Sequence, residues 1–126
     1  MKTFVTFALV VILAGSACAA NFVVLQNSLT FTPDDLTINV GDTVEWIHQS
    51  GFHTVTNGTG AADPLAGSMF DASLSSGSFS FTFNASGDIP YFCRPHEGFG
   101  MAGVIRVENQ VGAEAESFGN VKRLFR

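Results

Sequence analysis

The segment YFCRPHEGFGM, residues 91–101, places three possible metal ligands within nine positions. Cys93 carries a thiol, His96 an imidazole and Met101 a thioether, in the spacing Cys-x2-His-x4-Met. A second imidazole, that of His53, lies forty residues before the cysteine. Thiolate and neutral imidazole bind borderline-soft transition metals, and a thioether suits copper better than zinc. The residue types therefore predict a copper site built from His53, Cys93, His96 and Met101.

The expected ligand set also indicates a kind of chemistry. Two histidines and one cysteine in a plane, with a weak axial methionine, are the ligands of a blue-copper electron-transfer centre. Such a site exchanges electrons readily if its ligands hardly move between Cu(I) and Cu(II). Pro95 and the neighbouring strands could hold the loop stiffly, while Gly98 and Gly100 would let the backbone fold tightly around the metal.

The elements that must position these side chains are predicted to be short strands. Apolar and polar residues alternate in short runs separated by turn residues, and no segment has the pattern of a long amphipathic helix. The clearest run is 78–83, whose three phenylalanines share one face and are expected in the core. Pro90 predicts an edge or a bulge for its strand. The eight predicted strands are 22–25, 28–31, 36–40, 43–48, 53–56, 78–83, 89–93 and 103–108. The pattern indicates an all-β sandwich or barrel.

Residues 1–20 are predicted to be a secretory signal peptide. Lys2 gives a positive start, residues 4–13 form an apolar run, and a small-residue stretch follows it. The apolar run is too short for an ordinary membrane span. Lipid attachment at Cys18 is the competing interpretation, although the residues before it lack the leucine that is usual at such sites. We therefore expect an exported protein, periplasmic or extracellular.

Loss of the leader changes the cysteine count and the charge. Cys93 becomes the only cysteine, so no internal disulfide is possible, and a lone thiol in an oxidising compartment is expected to be buried or used as a ligand. Eleven acidic residues then face five basic ones, because Lys2 is also removed, which gives a net charge of −6. Nucleic-acid binding is not expected, because phosphate contacts require a basic surface.

The segment CRPHEGFGMAG, residues 93–103, resembles the copper loop of plastocyanins and their bacterial relatives, the cupredoxins. That loop commonly reads Cys-x-Pro-His followed by x-Gly-x-Gly-Met-x-Gly, and every fixed position matches. The segment LTINVGDTVEWIHQSGFHTV resembles the part that carries the first histidine, matched here by His53, and FDASLSSGSFSFTF resembles the part before the loop. The resemblance implies an eight-stranded Greek-key sandwich or barrel with one type 1 copper at one end, a bacterial origin, and no enzymatic activity. We expect the copper domain at 21–109 and a flexible tail at 110–126.

Three positions depart from the family pattern. Many plastocyanins have proline before and asparagine after the first ligand histidine, where this chain has Phe52 and Thr54. The asparagine helps to join the two ligand loops, and we expect the Thr54 hydroxyl to do so here. Plant members often have tyrosine just before the cysteine, on a route to an acidic docking surface. Phe92 stands there, so a plant-type partner and route are not predicted.

Simpler interpretations exist for individual residues. Cys93 could be a core cysteine or a thiol nucleophile paired with histidine, and Met101 could be core filler. The presence of both histidines in matching contexts favours the copper site. His48 is predicted to lie at a strand end near the site without being a ligand, and Met69 is predicted to pack in the core. No pair of carboxylates suggests acid–base catalysis.

The resulting prediction is a small monomeric carrier of single electrons. The ring of His96 is expected to reach the surface and to act as the electron port, within an apolar patch of Phe52, Pro95, Phe99 and Ala102. Such a patch suits short-lived docking of redox proteins such as cytochromes. The alternative is copper binding for storage, delivery or tolerance without an electron partner, which would use the same four ligands. No stable membrane span is expected.

Overall fold

The structure is a computed structural model that describes residues 19–109. The predictions for the leader up to residue 18, including Cys18, and for the tail at 110–126 lie outside the described residues. Residues 19–109 contain no helix that is long and apolar enough to cross a membrane. They form one short 3-10 helix, Glu97–Phe99, and nine strands. The strands are β1 (Asn21–Asn27), β2 (Thr30–Thr32), β3 (Asp35–Asn39), β4 (Thr43–His48), β5 (His53–Asn57), β6 (Asp71–Leu74), β7 (Ser78–Thr82), β8 (Gly87–Phe92) and β9 (Ala102–Glu108).

The strands form two mixed sheets that enclose one core. The first sheet has the order β2-β1-β4-β7 and the second the order β3-β9-β8-β5-β6. Strands β1 and β4 run parallel, as do β3 and β9, while the other neighbours are antiparallel. Because each sheet ends in edge strands, the fold is a sandwich and not a closed barrel. The all-β sandwich prediction is confirmed, and the barrel alternative is wrong.

The sequence pattern located eight of the nine strands. The prediction of eight strands is wrong because it omits β6, Asp71–Leu74, which pairs antiparallel with β5. This strand has only four residues, of which Leu74 alone is buried, and Ser75, Ser76 and Gly77 follow it. Two serines and a glycine that follow a single buried apolar residue are typical of a turn. Pairing with β5, and not local propensity, therefore makes this segment a strand.

Strand β8 accommodates a proline although it lies inside its sheet. It is flanked by β9 along its whole length, while β5 pairs only with Tyr91 and Phe92. The Pro90 carbonyl accepts a hydrogen bond from the Gly58 N–H at 2.8 Å, beyond the end of β5. Since the N and O atoms of one strand residue point to the same side, the missing N–H of Pro90 also faces this loop. Residues 87–90 of β8 thus lie at a local edge, as Pro90 predicted, while Tyr91 and Phe92 lie between two strands.

Aromatic side chains from both sheets fill the core. The rings of Trp46, on β4, and Tyr91, on β8, meet edge-on with centroids 5.3 Å apart, and both side chains are buried. The predicted phenylalanine stripe packs here: Phe83 is buried, and Phe79 stacks on Trp46 at 5.8 Å. Aromatic pairs at these separations stabilise a core beyond the area that they bury. This core supports the end of the sandwich from which the predicted ligands project.

The long connection at 58–70 is held by one buried side chain, that of Asn57. Its Oδ1 atom accepts two main-chain N–H groups, and its Nδ2 atom donates to two oxygens of the loop. These partners are the Met69 and Phe70 N–H groups, the Leu65 carbonyl and the Ser68 hydroxyl. The buried Asn57 amide thus uses all of its hydrogen-bonding capacity on the loop. These bonds order a segment that has no regular secondary structure. The loop packs beside the ligand-bearing end, where the Ala61 N–H donates to the Glu97 carboxylate at 3.0 Å.

Candidate metal centre

Three of the four predicted ligands meet at one end of the sandwich. His53 begins β5, Cys93 follows β8, and His96 caps the short 3-10 helix. The Cys93 Sγ atom lies 3.6 Å from His53 Nδ1 and 3.4 Å from His96 Nδ1, and the two Nδ1 atoms are 3.1 Å apart. His53 and Cys93 are buried, and His96 is half-buried. Three electron-pair donors, two from the loop after β8 and one from the start of β5, thus converge on one point.

The spacing of these donors fits a metal ion with three coplanar ligands. Bonds of about 2.0 Å to imidazole nitrogen and about 2.3 Å to thiolate sulfur, in a trigonal plane, imply donor separations of about 3.5 to 3.7 Å. The observed separations of 3.1, 3.4 and 3.6 Å lie within a few tenths of an ångström of that range. The donor set of two imidazoles and one thiolate matches the equatorial ligands of blue copper.

The second ring nitrogen of His53 determines which nitrogen faces the other donors. Nε2 lies 2.8 Å from the Ser50 carbonyl, which can only accept, so Nε2 carries the proton. The Nδ1 lone pair is therefore free to bind a metal, as is usual when a carbonyl orients a ligand histidine. Burial lowers the pKa of His53, the Ser50 carbonyl partly offsets this effect, and the nearby His96 and His48 lower the pKa further. The lowered pKa favours the neutral form of the ring, which is the form that binds a metal.

Met101 lies at the same end of the fold. It immediately precedes β9, its side chain is only 1% exposed, and its carbonyl accepts the Cys93 N–H at 3.0 Å. The Met101 N–H in turn donates to the His96 carbonyl at 3.4 Å. These bonds hold both ends of the loop together. The thioether is therefore buried at the base of the loop that carries two of the three converging donors.

The loop between Cys93 and Met101 is compact because its backbone is hydrogen-bonded internally. The Phe99 N–H donates to the His96 carbonyl, and the Gly100 N–H donates to the Glu97 carbonyl, each at 3.0 Å. Gly100 has φ 74°, a left-handed conformation that favours glycine. Gly98 lies inside the 3-10 helix and does not have a positive φ. The expected need for glycine thus holds for Gly100 but not for Gly98.

The hydroxyl of Thr54 joins the two ligand-bearing segments, as predicted. It accepts the main-chain N–H of Arg94, the residue after Cys93, at 2.9 Å. A hydroxyl supplies one acceptor here, where the family pattern has an amide. The residue after the first histidine is therefore tied to the residue after the cysteine.

The structure confirms the prediction for His48 but not the one for Met69. His48 ends β4, its Nε2 atom donates to the Gly51 carbonyl at 2.6 Å, and its ring centroid lies 6.5 Å from that of His53. It therefore lies near the site but outside the donor cluster, as predicted. Met69 is 43% exposed, on the loop that Asn57 organises, so the prediction that it packs in the core is wrong.

An apolar surface surrounds the partly exposed edge of His96. Phe52 is 63% exposed and Phe99 is 72% exposed, while Pro95 and Ala102 are exposed beside them. The ring of Phe99 lies 6.1 Å from that of His96. A shallow groove also reaches the site, lined by Ser28, Leu29, Ser50, Gly51, Phe52 and Pro95 together with the two histidines. Large exposed aromatic side chains clustered in this way are typical of an interaction surface.

Gln26 is a positioning residue that the sequence pattern did not reveal. Its buried side chain lies on β1, where its Oε1 atom accepts the Gln49 and Ser50 N–H groups at 3.2 and 3.3 Å. The Ser50 carbonyl is the group that orients His53. The strand alternation in the sequence could have indicated this role, because it places Gln26 on the same inward face of β1 as Val24. A buried glutamine on that face needs polar partners.

Comparisons with known proteins agree with this geometry. A family model described as copper binding proteins, plastocyanin/azurin family, matches residues 18–108. The chain belongs to the plastocyanin/azurin family of copper binding proteins. Plastocyanin from Scenedesmus fuscus is 37% identical over 89 residues, which cover 66% of this chain and 91% of that protein. Plastocyanin from Synechococcus sp. (strain JA-2-3B'a(2-13)) is 34% identical over 113 residues, covering 78% of this chain and 81% of that protein.

Solved structures give the same family assignment for the fold. The crystal structure of amicyanin from Paracoccus versutus aligns with a TM-score of 0.58 at 29% identity, and covers 73% of this chain and 83% of that one. Membership of the plastocyanin/azurin family confirms copper as the cofactor. It also confirms the prediction that the chain is not an enzyme, because the family consists of electron carriers.

Proposed function

We propose that this protein is a small exported blue-copper protein that carries single electrons between redox proteins. The observation that carries the proposal is the convergence of His53 Nδ1, Cys93 Sγ and His96 Nδ1 within 3.6 Å of one another. Copper bound there would accept and release one electron by changing between Cu(II) and Cu(I). The plastocyanin and amicyanin relatives support the same function.

The proposed ligand roles follow from chemistry and burial. His53, Cys93 and His96 would bind the copper, and the Cys93 thiolate would contribute the most covalent bond. Met101, buried beside Cys93, would supply the weak fourth contact through its thioether. The His53 ring is held by the Ser50 carbonyl, and the loop of His96 by its own main-chain hydrogen bonds. Ligands held in this way move little when the charge of the site changes, which favours fast electron exchange.

His96 is the proposed port through which electrons enter and leave. It is the most exposed of the three converging donors, and the apolar side chains of Phe52, Pro95 and Phe99 surround it. A small apolar surface excludes water and allows close approach without tight binding, which suits transient docking of partners such as cytochromes. A protein with this role is expected to act as a monomer.

A second port beside the cysteine is not expected. Phe92, next to Cys93, is only 1% exposed. The Arg94 guanidinium lies over its ring, 5.8 Å from the centroid. This cover leaves His96 as the ligand edge that a partner can approach. The proposed partner therefore docks at the His96 end of the sandwich and does not use a plant-type route.

Export and domain limits belong to the same proposal. The leader composition of residues 1–20 supports secretion to the periplasm or the cell exterior. Copper binding is assigned to residues 21–109. We also propose a bacterial origin, which the resemblance of residues 93–103 to the cupredoxin loop implies.

Electron exchange with a soluble cytochrome c, followed by stopped-flow absorbance, tests the function. The copper-loaded protein should exchange one electron per chain, and Phe99→Ser should slow the second-order rate about tenfold or more, because the apolar contact around His96 is lost. Val23→Ser is the control, since Val23 is 47% exposed on β1 and does not line the groove beside His96. Slow exchange by the wild type with every cytochrome tried, together with copper transfer to an apo-acceptor, would support storage or delivery instead.

A further inference from the structure

A closed ring of hydrogen bonds begins and ends at Arg94, the residue that follows Cys93. The Arg94 main-chain N–H donates to the Thr54 hydroxyl at 2.9 Å. The Arg94 guanidinium donates from Nε and Nη2 to the two carboxylate oxygens of Asp71, each at 3.0 Å. The Thr56 hydroxyl donates to the Asp71 carboxylate at 2.8 Å and lies 3.1 Å from the Thr54 hydroxyl. The ring thus joins the copper loop to β5 and β6.

The direction of each bond in the ring is fixed by its neighbours. A carboxylate accepts only, so the single hydroxyl proton of Thr56 points to Asp71. Thr54 must then donate its own proton to the Thr56 oxygen, while its oxygen accepts the Arg94 N–H. The whole chain therefore runs from the Arg94 main chain to the Asp71 carboxylate. Bonds that end on a charged group are stronger than neutral ones, and bonds in a chain polarise one another.

The ring is anchored partly inside the protein. Thr56 is fully buried, and the side chains of Arg94 and Asp71 are 38% and 43% exposed. Thr54 follows His53, and Arg94 follows Cys93, so the ring spans the residues adjacent to two proposed ligands. An exposed ion pair alone contributes little to stability. Here the Arg94–Asp71 pair is bidentate, and Asp71 also accepts from the buried Thr56 hydroxyl. Through Thr56 and Thr54, the pair is linked to the Arg94 main-chain N–H.

Gly67, in the loop at 58–70, leaves space for the ion pair between Arg94 and Asp71. Gly67 has φ 76°, and a Cβ atom there would lie 3.0 Å from Arg94 Nη2 and 3.3 Å from Asp71 Oδ2. A side chain at this position would therefore press on both members of the pair. The Gly67 N–H bonds the Asn57 carbonyl at 2.9 Å, so the glycine itself cannot move away freely. The loop packs closely against the pair only because residue 67 has no side chain.

We propose that Asp71, Thr56 and Arg94 are positioning residues that set the place of Cys93 relative to His53. They act on the main chain after the cysteine and not by contact with the metal. The inference rests on the proposed function, because the side chains that the ring aligns are the proposed copper ligands. Asp71 and Thr56 lie outside the loop motif that identifies the family. Arg94 occupies one of the variable positions of that motif.

The test compares Asp71→Ala with Asp35→Ala. Asp35, on β3, forms a bidentate pair with Arg106, on β9, at 2.8 and 3.1 Å, and the side chains are 53% and 44% exposed, respectively. This ion pair therefore serves as the control, because it forms no hydrogen bond to the residues that follow His53 and Cys93. Asp71→Ala should weaken copper binding about tenfold, measured by competition with a chelator, and should change the visible absorption of the copper protein. Asp35→Ala should leave copper affinity and spectrum unchanged.

A second readout uses the apo-protein and does not require copper. Amide hydrogen exchange followed by NMR should be faster at Arg94 in Asp71→Ala and Thr56→Val, but near the wild-type rate in Thr56→Ser, which keeps the hydroxyl. Unchanged Arg94 exchange in Asp71→Ala, or equal copper affinities of Asp71→Ala and Asp35→Ala, would overturn the inference. If the wild type binds no copper, the proposed function fails, and the exchange rate at Arg94 still decides whether the ring holds the main chain.

Discussion

The Nδ1 atoms of His53 and His96 lie 3.1 Å apart, although 43 positions separate the two residues. The Nε2 proton of His53 is donated to the Ser50 carbonyl, so its Nδ1 atom presents a lone pair to the other ring. A cation shared by this lone pair, the His96 ring and the Cys93 sulfur would stabilise the three groups at such distances. The ties through Thr54 and Gln26 keep the two histidines in this arrangement.

The axial role of Met101 can be separated from its packing role. Met101→Gln should leave one copper bound per chain and shift the reduction potential, because a weak axial ligand tunes the potential more than the affinity. Potentiometric titration followed by visible absorbance measures this shift. Met69→Gln, which changes an exposed methionine on the loop at 58–70, should leave the potential unchanged. Equal potentials for the wild type and Met101→Gln would remove Met101 from the ligand set.

The turn before β5 should tolerate no side chain at Gly51. Its φ is 80°, and a Cβ atom there would lie 2.8 Å from His53 Nε2. Gly51→Ala should therefore displace the ring and weaken copper binding about tenfold, measured by chelator competition. Gly77→Ala is the matched control, with φ 66° and nothing within 4 Å of the added atom. Both variants should lose about 1 kcal/mol of unfolding free energy from backbone strain. Normal copper affinity in Gly51→Ala would show that the Ser50–His53 contact is dispensable.

The buried hydroxyl of Tyr91 is not expected to stabilise the fold. Neither this hydroxyl nor Trp46 Nε1 has a hydrogen-bond partner among the described residues. Burial raises the pKa of Tyr91 far above its usual range, and the nearby Trp46 opposes this effect only in part. Tyr91→Phe should therefore leave the unfolding free energy of the apo-protein, from urea denaturation, within about 1 kcal/mol of wild type or raise it. Tyr91→Ala should cost about 3–5 kcal/mol, because it also empties the core. A large loss in Tyr91→Phe would show that the hydroxyl is hydrogen-bonded.

Acid should destabilise the apo-protein through Asp35. The hydrogen bond from Arg106 holds the pKa of Asp35 below its ordinary value of 3.8. A carboxyl with a lower pKa in the folded state contributes stability above its unfolded-state pKa, and this contribution disappears as the pH falls through the folded-state pKa. Unfolding free energies measured between about pH 5 and pH 2 should therefore decrease. Asp35→Asn should make that decrease shallower. An identical pH dependence in the variant would show that the Arg106 pair does not couple folding to protonation.

The sequence predicted the copper loop well because its chemistry is local. Cys93, His96 and Met101 lie within one loop, and their spacing limits both the metal and the geometry. His53 was predicted from its residue type and not from its spacing, since its approach to Cys93 depends on the pairing of β5 with β8. The strand pattern was clear wherever apolar residues alternated over five or six positions.

The remaining features depend on contacts between distant segments. Strand β6 has one buried residue and is formed by pairing with β5, which no local pattern reveals. Asp71 looked like an ordinary polar residue, yet it receives bonds from Arg94 and Thr56. The sequence predicts Met69 in the core because it lacks a ligand spacing, but Asn57 fixes the loop in a way that leaves the thioether partly exposed. Such outcomes follow from tertiary structure and not from composition.

Copper titration of the apo-protein, followed by visible absorbance, tests the central claim most directly. Addition of Cu(II) to the wild type should give an intense charge-transfer band that saturates at one copper per chain, because the Cys93 thiolate is the proposed source of that band. Cys93→Ser should abolish the band, since a hydroxyl replaces the thiolate that lies 3.4 and 3.6 Å from the two histidine nitrogens. A band of undiminished intensity in Cys93→Ser, or no band in the wild type, would contradict the assignment of a blue-copper centre.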